Sequence, residues 1–109
     1  MITITILYPN KEGGRFDADY YINKHMPMSI AQFGDALKGI NISLGQNAGV
    51  PGSKPPFVAV CQLVFDSQEA FEKRFNEISA GLIADMPAYT DIDIIFQIGE
   101  AKIVIPALQ

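Results

Sequence analysis

The chain contains one histidine, His25, four positions after Tyr21. Histidine is the side chain whose unperturbed pKa, about 6.5, lets it gain and lose a proton near neutrality, so His25 is the first candidate for acid–base work. The four-residue spacing puts Tyr21 and His25 on one helical face, close enough to hydrogen-bond or stack. Tyr20 cannot share that face, so one of the two tyrosines reaches a cavity while the other packs or is exposed. Late in the chain Tyr89, Asp91 and Asp93 stand at the start of the last predicted strand. A carboxylate there, Asp91 first, could orient the imidazole or polarise a substrate. Asp93, if buried and unpaired, would be an acid of raised pKa suited to enolisation or lactone chemistry. Thr3, Thr5, Gln62 and Gln97, with Tyr8 at the end of the first strand, are candidates to hydrogen-bond a carbonyl-bearing ligand. Plainer readings stand beside these: His25 caps its helix, Asp91 ends a surface loop, Asp93 pairs with Lys102, and the strand residues satisfy one another across the sheet.

Other chemistries find little support. Cys61, the single cysteine, cannot form an internal bridge, and with one histidine the chain builds no Cys/His zinc cage, so no metal is expected. Gly13-Gly14 lacks the lysine and spacing of a phosphate loop, and no cofactor is called for. Eight basic against twelve acidic residues give a net charge of −4. Without a Lys/Arg cluster, the attraction on which nucleic-acid and anionic-membrane binding depend is missing. The first nine residues alternate in polarity and read as a strand, not a signal peptide, which with the cysteine usage points to a reducing, cytoplasmic setting. At 109 residues, 49% hydrophobic and 18% charged, the chain is expected to be one domain with a real core and some apolar surface needing a partner.

The elements that must position these residues follow from periodicity. Ile2, Ile4, Ile6 and Tyr8 alternate with Thr3, Thr5 and Leu7 in a first strand that Pro9 ends. Asp17 reads as a helix N-cap, with Phe16 placed to pack on Tyr21. Pro27 predicts that this helix ends or kinks after His25, or that Pro27 opens a second helical piece, which Gly39 stops. Ile40 to Gln46 and Phe57 to Phe65 are the second and third strands, separated by a Gly/Pro-rich loop over Asn47 to Pro56. Asp66 or Ser67 caps a second helix whose stripe is Phe71, Phe75, Ile78 and Leu82, with Gly81 as its expected end. A last strand runs from Ile92 to Gly99 through the sheet interior beside the first, and Lys102 to Ile105 reads as a short terminal strand. Strand, helix, strand, strand, helix, strand is the order of a ferredoxin-like α+β sandwich.

Two helices on one sheet face bury the uniformly apolar side of each strand. The other side carries Thr3, Thr5, Asn41, Ser43, Gln62, Asp93 and Gln97 among Leu7, Val58, Val60, Val64 and Ile95. It is too apolar for water and too polar for an ordinary core, which suits a homodimer whose sheets close on each other around a cavity.

Tyr8-Pro9, Phe16-Asp17-Ala18-Asp19-Tyr20-Tyr21 followed by His25-Met26-Pro27, then Pro87-Ala88-Tyr89-Thr90 and Gln97-Ile98-Gly99-Glu100, resemble the ethyl tert-butyl ether degradation (EthD) family. These blocks lie toward both ends of the chain, so the similarity extends over the whole of it. The resemblance implies a dimeric α+β barrel. Proteins sharing that barrel include lactone isomerases, polyketide cyclases and cofactor-free monooxygenases, so the fold alone selects no reaction. The expected function is an enzyme acting on a small hydrophobic, oxygen-bearing metabolite, with His25 as the proton-transfer residue in an isomerase-, cyclase- or dehydratase-like step. The alternatives are a non-catalytic ligand-binding or oxygenase-accessory protein, and a cofactor-free monooxygenase or reductase.

Overall fold

In the computed structural model, which describes residues 1–105, the alternating segments form one antiparallel sheet. Its strands are β1 (Ile2–Pro9), β2 (Gly39–Leu44), β3 (Phe57–Phe65) and β4 (Ile95–Glu100), in the order β2-β3-β1-β4. Register fixes the faces: Ile4 stands opposite Leu63 and Ile98, while Thr5 stands opposite Gln62 and Gln97. Since side chains alternate along a strand, Ile4, Ile6, Tyr8, Cys61 and Leu63 share one face and Thr3, Thr5, Gln62, Val64 and Gln97 the other. Helices cover the first, and the fold is the ferredoxin-like α+β arrangement.

The first helical stretch opens where expected. The Asp17 carboxylate accepts from the Tyr20 amide at 3.1 Å, and Phe16 packs on Tyr21 with ring centroids 5.0 Å apart. Past His25 the chain stays helical, and Pro27 falls in the first turn of a second helical piece, one of the two arrangements expected of it. Helix α1 (Ala18–Tyr20) passes into a π-helical segment (Tyr21–His25) and on into α2 (Met26–Phe33). Pro27 has no amide hydrogen and its ring crowds the carbonyl four residues back; the wider turn relieves this, with the Met26 amide bonding the carbonyl of Tyr21 five residues earlier. Gly34, not Gly39, ends α2: its φ of 58° and ψ of −136° suit glycine, and Gly39 already belongs to β2.

Helix α3 (Gln68–Asp85) is capped by Ser67, whose hydroxyl accepts from the Ala70 amide at 3.1 Å. It runs through Gly81, because Leu82 extends the buried stripe and its burial offsets the roughly 1 kcal/mol that a helical glycine costs. Phe33, Phe65 and Phe71 close one end of the core, with Phe65 5.2 and 5.1 Å from the other two rings.

β4 lies beside β1 as expected, but at the sheet's edge and beginning only at Ile95. Its ladder on β1 ends at the Ile95–Leu7 pair, next to the Tyr8/Pro9 irregularity, and Pro9 has no amide to donate. At the other end, Ile2 pairs with Glu100 and the Ala101 amide bonds the Met1 carbonyl at 3.0 Å, which exhausts β1. Lys102 to Ile105 is therefore not a strand. No helix among the described residues is long and apolar enough to cross a membrane.

Candidate functional site

Four segments converge on His25: the end of β1, the π-helical segment, the middle of β3, and the stretch from Asp85 to Thr90. The last is tied to the start of the first helix by backbone and side chain. Phe16 bridges Thr90, the Asp17 amide donates to the Tyr89 carbonyl at 2.7 Å, and the Thr90 hydroxyl donates to the Arg15 carbonyl at 2.8 Å. These bonds bring Tyr89 against His25, ring centroids 4.5 Å apart, while Tyr21 stacks on His25 at 5.9 Å and 15°. The Tyr8 and Tyr89 hydroxyls meet at 2.9 Å.

His25 is buried, and its Nδ1 lies 2.9 Å from Oδ2 of Asp85. The other Asp85 oxygen accepts from the Tyr20 hydroxyl at 2.8 Å. The hydrogen bond from His25 holds the Asp85 carboxyl below the ordinary aspartate range, against the opposing effect of partial burial. An ionised carboxylate can only accept, so Nδ1 carries the hydrogen and, in the neutral ring, Nε2 keeps its lone pair. Nε2 has no partner among the described residues, although no buried side-chain nitrogen or oxygen is left unsatisfied; it therefore meets open space.

That space is a cavity of about 160 Å³ between the helices and the sheet. Ile4, Ile6, Cys61 and Leu63 form its floor, Tyr21, Met26 and Ser29 one wall, and Phe71, Phe75 and Leu82 another. It lies on the helix-covered face of the sheet, within one chain, and is distinct from the space between the mixed faces of two copies that the sequence led us to expect. Packing is the reason: small side chains at Ser29 and Cys61 stand among large ones and leave room beneath the first helix. Burial raises the Tyr8, Tyr21 and Tyr89 phenols well above their ordinary range and pushes the Cys61 thiol up to about 11. The polar groups of the cavity are thus neutral donors beside one imidazole.

Solved structures with this fold decide the family. An EthD-like protein from Ralstonia eutropha JMP134 is 37% identical, superposes with a TM-score of 0.85, and is matched over 91% of this chain and 89% of its own. The chain belongs to the EthD family. An EthD family protein from Bacillus halodurans C-125 shares 20% identity at a TM-score of 0.69, over 94% of this chain and 99% of its own. SnoaB of Streptomyces nogalater, described as a cofactor-independent oxygenase, shares the fold at 10% identity and a TM-score of 0.65, over 97% of both chains. No family model and no curated protein matches.

Against the sequence expectations, this EthD family member divides its candidates into two sets. His25, Tyr21, Tyr8 and Tyr89 come together at the cavity. Tyr21, not Tyr20, lines it; Tyr20 binds Asp85 instead. Thr3, Thr5, Gln62 and Gln97 lie together on the opposite sheet face, away from His25. Asp91 does not orient the imidazole: its carboxylate accepts from the Arg15 amide at 2.7 Å, which holds its proton affinity down and fastens the loop. Asp93 is exposed ahead of β4, and Lys102 pairs with Glu100 at 2.9 Å and not with Asp93. The residue missed was Asp85. It had a signal: the stripe Phe71, Phe75, Ile78, Leu82 advances by four, three and four, and the next step of three lands on Asp85. A carboxylate on the buried face of a helix needs a partner.

Proposed function

We propose that the chain is an enzyme that binds a small hydrophobic metabolite bearing a carbonyl oxygen and transfers a proton on it through Nε2 of His25. The observation that carries this is the Asp85–His25 pair at the wall of an apolar cavity, with one ring nitrogen fixed by a carboxylate and the other unpartnered. Nε2 accepts a proton from the carbon next to the carbonyl, the substrate becomes an enolate, and Asp85 stabilises the imidazolium that forms. Returning the proton to another carbon, or using the enolate to close a ring or expel a hydroxyl group, gives the isomerase-, cyclase- and dehydratase-like outcomes. The raised tyrosine proton affinities support phenol groups as hydrogen-bond donors to the enolate oxygen. The fold shared with SnoaB, a protein described as a cofactor-independent oxygenase, is compatible with such a step but does not choose it.

The same reading includes a homodimer. Thr3, Thr5 and Gln62, with half-buried Leu7, Val60 and Val64, would face a second copy across the uncovered sheet face, so those polar residues serve the interface and His25 serves the cavity. Sedimentation equilibrium at micromolar concentration is expected to give twice the chain mass; a stable single chain removes the dimer from the reading.

Catalysis is tested with cyclohexanone in D2O, following deuterium uptake at the carbons beside the carbonyl. The protein is expected to accelerate exchange and His25→Gln to abolish it. Bound ketone with no acceleration by the native protein overturns catalysis in favour of a ligand-binding role, and acceleration unchanged in His25→Gln removes His25 from the mechanism.

A further inference from the structure

We infer that the cavity selects an uncharged ligand of one-ring size and rejects carboxylates of the same shape. This rests on the reading of the cavity as the substrate site but concerns what enters it, not what happens there. None of the residues lining the cavity is Lys, Arg, Asp or Glu. A carboxylate bound there would give up water without gaining a cation, a large penalty unless the ion is paired. Its sole positive partner would be a protonated His25, whose Nδ1 is already committed to the Asp85 carboxylate; a second anion would share the site with that charge. The rim extends the same character outward. Ile83 on α3 and Phe96 on β4 are the exposed residues of the lining, so a ligand enters between apolar side chains and meets no basic group to draw an anion inward.

Size follows from volume. About 160 Å³ is close to the roughly 150 Å³ of an engineered apolar cavity known to take up benzene. One six-membered ring with a short substituent fills the space beside His25, and a second ring must emerge between Ile83 and Phe96.

Acetophenone and benzoate make the test, because they differ by a methyl group replaced with a charged oxygen and keep nearly the same shape. Each is titrated into the full-length protein and followed by NMR, with contacts read from nuclear Overhauser effects to the methyls of Ile6, Leu63 and Leu82. Acetophenone is expected to show those contacts, and benzoate to bind at least about a hundredfold more weakly. With 2-acetonaphthone, the outer ring is expected to contact Ile83 and Phe96 only. Benzoate binding as tightly as acetophenone, no cavity contacts from acetophenone, or both naphthalene rings inside would overturn the inference. These are binding readouts, so the exchange assay with His25→Gln can fail while this selection holds, and the reverse.

Discussion

Replacing Asp85 by asparagine removes a charge while keeping shape and hydrogen-bonding capacity. The carboxylate accepts from His25 Nδ1 at 2.9 Å and from the Tyr20 hydroxyl at 2.8 Å. An asparagine can turn its carbonyl oxygen to His25 and its amide to Tyr20, whose hydroxyl then accepts, so the ring stays in place. What changes is bond strength. Hydrogen bonds to an ionised group contribute about 1.5–3 kcal/mol and neutral ones about 0.5–1.5 kcal/mol. The Asp85 side chain keeps 22% of its exposure, which favours the lower end of each range and a difference of about 1 kcal/mol for the bond to His25. That difference grows as His25 takes up the substrate proton, so the exchange rate of cyclohexanone in D2O should fall about tenfold with little change in KM. Acid stability gives a second readout. The Asp85 carboxyl is held below its ordinary range, so it binds a proton more weakly folded than unfolded. The stability it confers is complete above the unfolded value of about 3.9 and is lost as pH falls through the lower folded value. The difference in urea midpoint between native protein and Asp85→Asn should therefore be open at neutrality and close in acid below about 3.9. An unchanged exchange rate, or a gap in midpoint that stays constant into acid, would refute the assignment of Asp85 as the carboxylate that positions His25.

Three further outcomes are expected. Tyr8→Phe leaves the fully buried Tyr89 hydroxyl without its 2.9 Å partner, which should cost about 1–3 kcal/mol in guanidinium unfolding; a loss below about 0.5 kcal/mol would show that the pair contributes nothing. Pro27→Ala restores an amide hydrogen and lets the π-helical segment tighten into an ordinary helix, turning His25 away from Asp85. The melting temperature should hold or rise while cyclohexanone exchange falls about a hundredfold, whereas unchanged exchange would separate the π-helical turn from the chemistry. The buried Cys61 thiol, pushed up to about 11, is almost wholly protonated at about pH 8. An aromatic disulfide reagent should modify it slowly in the native protein and at once in roughly 6 M guanidinium, and fast native reaction would contradict its burial.

The architecture was legible because its signals are local and repeated. β1 and β3 each alternate over eight or nine residues, so register and the two sheet faces follow from the pattern. Asp17 and Ser67 open their helices by side-chain caps that need no distant partner. The errors fall where a local signal competes with something far away in sequence. Gly81 looks like a stop, yet it lies inside a helix held by the burial of Leu82. The alternation from Ile92 onward looks like strand, yet Thr90 and Asp91 are drawn toward Arg15, 75 and 76 positions earlier, and pairing waits until Ile95.

The site was half legible for a related reason. Tyr21 and His25 are four residues apart, and that spacing survives the π-helical turn because a wider helix still keeps such neighbours on one face. Asp85 lies 60 positions from His25, and only tertiary packing can join them. Strand alternation also identifies two faces without saying which one holds an empty space. A mixed face invites the thought of a cavity because polar and apolar groups meet there, but a void is set by side-chain volume between layers, and volume has no period. Here Ser29 on α2 and Cys61 on β3, too small to fill the gap beneath the helix, leave the cavity on the side the sequence marks as solid core. An apolar strand face therefore does not by itself identify a filled interior. The buried polar residues mark the difference: His25 and Ser29 line the cavity together with the hydroxyl-bearing rings of Tyr8, Tyr21 and Tyr89, where a filled core would present apolar side chains alone.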